Sequence, residues 1–160
     1  MNFEDEFKGK RVVITGASGL IGQMLLDHFV AAKAEVCSTD ESLEDLKNFS
    51  VSADLTTDLG LKKLLDAVET KWGAPDIVIN NAAIYPSSLL LDMQVSDWDE
   101  IMAINVRAPF VLMRNFALQM IKKGVAGNFV NISSGAARKM RRTAVTYCMS
   151  KTALDRMTKG

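Results

Sequence analysis

Short β-rich apolar runs alternate along the chain with longer stretches whose apolar positions recur at helical spacing. RVVIT (11–15) reads as a buried strand that runs straight into a glycine-rich turn. From Leu20 to Lys33 the spacing predicts a helix, with Leu20, Met24, Leu25 and Phe29 on one side. AEVCST (34–39), SVSA (50–53) and DIVIN (76–80) read as the second, third and fourth strands. A polar, helix-like segment follows Asp40, and a helix from Thr57 to Trp72 precedes the fourth strand. Ser96 to Lys123 is a long amphipathic stretch carrying Ile101, Ile104, Phe110, Met113, Phe116 and Met120. Pro109 should kink it, because proline donates no backbone hydrogen bond and its ring clashes one turn back. GNFVNIS (127–133) supplies a fifth strand, and a further helix begins at Ala144.

Strands alternating with helices predict an α/β fold: a Rossmann-like, doubly wound parallel sheet with helices on both faces and right-handed crossovers. Such sheets bind ligands at the carboxyl ends of their strands, near the switch in strand order. Functional residues should therefore lie just after strands.

Composition mainly removes alternatives. The 160 residues suit one domain, and 19 basic against 19 acidic side chains give no reason to expect nucleic acid or an anionic membrane as partner. No unbroken apolar run reaches the roughly 18 residues of a membrane span, and the acidic opening MNFEDEFKGK lacks the apolar centre of a secretory signal. Cys37 and Cys148 are far apart and belong to no CxxC or Cys/His cluster, so two reduced thiols, a cytoplasmic location and no metal are expected. With His28 the only histidine, chemistry that needs a Ser–His pair lacks its parts. The nine methionines fall mostly on helices and read as core filling.

The first strand ends in TGASGLIG (15–22). Glycines here can serve a tight turn, close approach of a pyrophosphate and close helix–strand packing. The unpaired N–H groups at the start of the next helix attract phosphate. Gly16, Ser18, Gly19, Leu20, Ile21 and Gly22 are therefore candidate cofactor-binding residues. Three spaced glycines alone are a weak signal; the strand before and the helix after make it specific. Asp40 ends the second strand about 20 residues beyond the turn and can accept hydrogen bonds from ribose hydroxyls while repelling a 2′-phosphate. Ser18 supplies no cation against that repulsion, so NAD is expected rather than NADP. A helix N-cap is the other use for Asp40. Asp54 and Leu55, after the third strand, can face an adenine. In NNAA (80–83), Asn81 and Ala82 leave room for a cofactor against the backbone, while the amides can pair exposed main-chain groups.

After the fifth strand come Ser133-Ser134, and then Tyr147 and Lys151 one helical turn apart on the same face. Tyrosine, with a usual pKa of about 10, is a poor base at neutral pH, but a nearby ammonium favours the phenolate.

With the glycine turn, Asp40, NNAA, the serine pair and Tyr-x-x-x-Lys in this order, the chain resembles the N-terminal two-thirds of a short-chain dehydrogenase/reductase. The resemblance implies an NAD-dependent oxidoreductase interconverting a secondary alcohol and a ketone, with Tyr147 as proton donor and acceptor. It implies that Ser134, thirteen residues before Tyr147, hydrogen-bonds the substrate oxygen. Lys151 would hold the nicotinamide ribose and favour the phenolate, and Asn105 would support a water-linked proton path to Lys151. A homodimer or homotetramer formed through the two long helices is also implied. Gly19-Leu20 departs from the ordinary branch's TGxxxGxG and resembles the extended branch, which includes sugar-nucleotide epimerases and dehydratases; Ala83 stands where the ordinary branch has glycine. Family members continue past this helix with further strands and a substrate lid. Residues 1–160 are thus expected to form a single NAD-binding Rossmann-type domain, incomplete at its C-terminus. A dinucleotide-binding regulator without turnover, or an inactive truncated subunit, would fit the same motifs. RKMRR (138–142) suits either recognition of an anionic substrate, or a solvated basic loop or subunit contact.

Overall fold

Five strands form one parallel sheet: β1 (Arg11–Thr15), β2 (Glu35–Asp40), β3 (Phe49–Ser52), β4 (Ile77–Asn80) and β5 (Asn128–Asn131). Their order is β3-β2-β1-β4-β5, so the chain winds outward on one side of β1 and then crosses to the other. The switch in direction falls between β1 and β4, and their carboxyl ends open the crevice that this topology reserves for ligands. The computed structural model describes residues 3–41 and 49–160. The polar helical segment expected after Asp40 lies outside the described residues.

Both sheet faces are covered, which is why the central strands β1 and β4 carry unbroken apolar runs. Val13, Cys37, Val51 and Val78 point to one face, under Leu61, Leu64 and Val68 of α3 (Asp58–Trp72) and Leu112, Phe116 and Met120 of α5 (Ala108–Lys123). Val12, Ile14, Val36 and Ile79 point to the other, against Leu26 and Phe29 of α2 (Leu20–Ala31). Each fully buried side chain of this size contributes about 1.5–3 kcal/mol. A short N-terminal helix, α1 (Phe3–Phe7), has no counterpart in the sequence reading. Its Phe7 packs edge-on to Phe29 with ring centroids 5.1 Å apart.

Two helices differ from expectation in instructive ways. On α2 the buried residues are Gly22, Leu26 and Phe29, while Leu20 and Met24 are exposed. Contact between Gly22 and the glycine turn fixes the rotation of this helix, overriding the broader apolar stripe. The long stretch divides into α4 (Val95–Met102), a π turn (Ala103–Arg107) and α5. Pro109 sits in the first turn of α5, and the wider π turn before it accommodates the missing donor. The continuous run Val95–Lys123 is long and apolar enough to cross a membrane. Here, however, its apolar face of Ala108, Leu112, Phe116 and Met120 packs on the sheet. Met120 fills the core, whereas Met24, Met140 and Met149 are exposed, so core filling does not account for those three.

Candidate active site

The carboxyl ends of the strands open into a cleft of about 550 Å³. Its floor is the glycine turn. Gly16 has φ +67°, and a Cβ there would come within 2.8 Å of Ala82 Cα. A Cβ on Gly22 would lie 2.0 Å from the Gly16 carbonyl oxygen, so both positions require glycine for reasons of space, and Gly16 for its conformation as well. At Gly19 the nearest atom is 3.4 Å away, which is ordinary contact. Gly19 is instead the N-cap of α2, with no side-chain cap bond. The first amides of that helix therefore lack a side-chain partner where Gly19, Leu20 and Ile21 border the cleft.

Thr15 and Asn81 stitch the turn to β4. The Thr15 hydroxyl accepts from the Asn81 and Ala82 amides, both at 3.0 Å, and the Asn81 side-chain amide donates to the Thr15 and Gly16 carbonyls. The importance of Thr15 was not read from the sequence, because a threonine closing a strand has no distinctive signature. On the far side, Asp40 Oδ2 accepts from the Ser18 amide at 3.0 Å and the Ser18 hydroxyl at 2.5 Å, and Oδ1 from the Glu41 amide at 2.8 Å. Ser18, Asp40 and Glu41 all line the cleft. Asp54 and Leu55 line it too; Asp54 Oδ1 accepts from the Thr56 amide and hydroxyl, fixing the turn before α3.

At the other end lie Tyr147 and Lys151, both on α6 (Val145–Thr158) and both bordering the cleft. Lys151 is only 3% exposed, and its ammonium donates to the Ile132 carbonyl at 2.8 Å. Nζ stands 5.8 Å from the Tyr147 ring centroid. Burial pushes the lysine pKa from 10.5 down to about 8, with the charge of Asp155 opposing the shift. Holding this cation thus costs about 3 kcal/mol. The cost applies in full below pH 8 and is relieved as pH rises from about 8 towards 10.5, the value taken for the unfolded chain. Such an outlay in a cleft is a mark of a functional site. Tyr85 packs edge-on to Tyr147, with ring centroids 4.6 Å apart.

Of the sequence-derived candidates, Gly16, Ser18, Gly19, Leu20, Ile21, Asp40, Asp54, Leu55, Asn81, Ala82, Tyr147 and Lys151 share this one cleft. Gly22, Asn105 and Ser134 do not line it. Asn105 is fully buried: Oδ1 accepts from the Ile84 amide, and Nδ2 donates to the Ile84 carbonyl and the Ser150 hydroxyl. Ser150 in turn donates to the Tyr147 carbonyl, so Asn105 ties the cleft wall to the helix of Tyr147. The Ser134 hydroxyl accepts from the Ala136 amide at 3.1 Å, at the start of a 3₁₀ turn (Gly135–Ala137). Ser133, Ile84 and Ile104 line the cleft without having been singled out by the sequence. Arg138, Lys139, Arg141 and Arg142 are exposed and form no ion pair among the described residues. Cys37 and Cys148 are free and buried, and burial pushes the Cys37 thiol up to about 12.

The profile of the family described as short chain dehydrogenase matches residues 10–160. Sorbitol dehydrogenase of Cereibacter sphaeroides is 27% identical over 95% of this chain and 63% of its own. Glucose 1-dehydrogenase 2 of Bacillus subtilis is 29% identical, with 96% and 65% covered. The chain thus spans about two-thirds of the length of these relatives. Among solved structures, a short chain dehydrogenase from Leptospira borgpetersenii with bound NAD+ superposes with a TM-score of 0.93 at 27% identity, covering 99% of this chain and 66% of that one. A metagenomic short-chain oxidoreductase in complex with NADP gives 0.88 at 28% identity, covering 96% and 74%.

Proposed function

The chain belongs to the short-chain dehydrogenase/reductase family, and from that premise we propose that its cleft binds NAD and serves the interconversion of a secondary alcohol and a ketone. The observation that carries this reading is a single cleft bordered at one end by Asp40 and at the other by Tyr147 and buried Lys151. The residues present suit the cofactor: helix amides without a side-chain cap for the pyrophosphate, a carboxylate for the adenosine ribose, and small Ala82 and Ala83 against the cleft wall. Bound nicotinamide supplies the hydride donor or acceptor.

In this reading Tyr147 Oη accepts the alcohol proton in the oxidative direction and returns it to the substrate oxygen in the reductive one. The Lys151 ammonium, held by the Ile132 carbonyl, retains two N–H groups for a ribose hydroxyl and for a path that carries the proton onward. Ser134 does not line the cleft itself; its Oγ accepts from Ala136 and keeps its own hydrogen, which would donate to a substrate oxygen placed beside Tyr147. For Asn105 the side chain is committed to Ile84 and Ser150, so any water it holds belongs on its carbonyl.

Preference for NAD follows from charge. Asp40 and Glu41 both border the adenosine end, and the only cation lining the cleft among the described residues, Lys151, belongs to the opposite end. Three donors already reach the Asp40 carboxylate, which accepts about four. One site remains for a ribose hydroxyl, and a second opens if the Ser18 hydroxyl turns away. Asp40→Ala should lower the NADH-over-NADPH affinity ratio by at least about tenfold, since like-charge repulsion of the 2′-phosphate is relieved as a ribose contact is lost. Fluorescence titration with both cofactors measures it. Tighter binding of NADPH than NADH by the unaltered chain would overturn the assignment.

A further inference from the structure

Four cations lie in the loop that packs beside Tyr147. Arg138, Lys139, Arg141 and Arg142 are exposed and join no ion pair among the described residues. Their loop is anchored at the tyrosine: Ala136 and Ala144 pack with Cys148 and Tyr147, and the Cys148 thiol donates to the Lys139 carbonyl at 3.6 Å. Overall charge is balanced, yet no Asp or Glu occurs between Glu100 and Asp155. The neighbouring loop, residues 81–94, brings Tyr85 against Tyr147. It is joined to the basic loop by the Ser88 amide, which donates to the Thr143 carbonyl at 2.9 Å. It carries one carboxylate, Asp92, and three consecutive exposed leucines, of which Leu91 is 96% exposed. Met140 of the basic loop is exposed as well. A loop this long without regular structure usually serves a function. Exposed apolar side chains beside unpaired cations suit a ligand of both characters.

We infer that the substrate is an anionic amphiphile: an apolar chain that bears the reacting alcohol or ketone and, apart from it, a carboxylate or phosphate. The anionic head pairs with the basic loop, whose arginines offer bidentate hydrogen bonds. The chain lies along Tyr85 and the leucines, with its reacting oxygen at Tyr147. The inference rests on the proposed function, which makes Tyr147 the place of reaction.

The experiment titrates two proteins, each saturated with NADH, with decanoate, decyl phosphate and decanol. One is the unaltered chain; the other carries Arg141→Ala together with Arg142→Ala. By calorimetry the unaltered chain should bind decanoate or decyl phosphate at least about tenfold more tightly than decanol, the effect of one charge-assisted hydrogen bond. The tighter of the two charged ligands identifies the head group. The double variant, altered only on an exposed loop, should melt and bind NADH as the parent does but lose that advantage. So should the parent in salt of about 1 M, where charges are screened beyond about 3 Å. In a form that turns over, the double variant should raise KM about tenfold for the oxo derivative of the preferred ligand and leave KM for a decanone unchanged. Equal affinity of the parent for charged and neutral ligands would overturn the inference. So would a double variant that weakens all three ligands equally or none, or that raises both KM values alike. If the unaltered chain bound neither NADH nor NADPH, the proposed function would fail first and this inference with it; NADH binding without discrimination between charged and neutral ligands sinks the inference alone.

Discussion

Tyr147→Phe should lower turnover by at least about a hundredfold while leaving NADH affinity nearly unchanged. The substitution removes only the hydroxyl that would exchange the proton in the proposed reaction. The ring remains edge-on to Tyr85 at 4.6 Å, and the neighbouring lysine keeps its bond to the Ile132 carbonyl, so neither the helix nor the cleft loses packing. Because the lost interaction operates on the reacting oxygen, kcat and kcat/KM should fall together rather than KM rising alone. A panel of secondary alcohols with NAD, and of ketones with NADH, measures the effect on a form that turns over. Unchanged turnover would remove Tyr147 from the chemistry.

Gly22→Ala should destabilise the chain by about 1–3 kcal/mol or more, through overpacking against atoms that cannot yield. Local propensity argues the opposite, since alanine within a helix is favoured over glycine by about 1 kcal/mol. Steric overlap decides the sign. The new Cβ would lie 2.0 Å from the Gly16 carbonyl oxygen and 2.8 Å from Ala17 Cα, both main-chain atoms. Relief requires the start of α2 to move off the turn, which also takes its first amides away from the proposed pyrophosphate position, so NADH binding should be lost along with stability. Gly19→Ala is the control, with nothing nearer than 3.4 Å. Thermal melting of the two variants separates the accounts. A Gly22→Ala chain as stable as the parent would show that the turn is not packed as described.

The ease of reading this chain depended on how far each feature rests on local sequence. β1 and its glycine turn were legible because a strand buried on both faces is an unbroken apolar run, and the turn adjoins it. Asp40, Asp54 and NNAA were legible because in a parallel sheet the ends of successive strands converge on one crevice. The rotation of α2 was not, since a tertiary contact between Gly22 and Gly16 sets it and leaves Leu20 and Met24 facing outward. Pro109 announced a break in the long helix, but a π turn depends on hydrogen bonds five residues apart, and nothing in the residue types specifies it. Likewise, spacing from Tyr147 selects Ser134, while in the fold Ser133 lines the cleft and Ser134 caps the 3₁₀ turn.

The central claim is that this cleft holds a nicotinamide dinucleotide with its adenosine end at Asp40. Titrating the unaltered chain with NADH and NADPH, following cofactor fluorescence, tests it most directly. Saturable binding of NADH, tighter than that of NADPH, is the predicted result; the absence of saturable binding by either cofactor at millimolar concentration would contradict it.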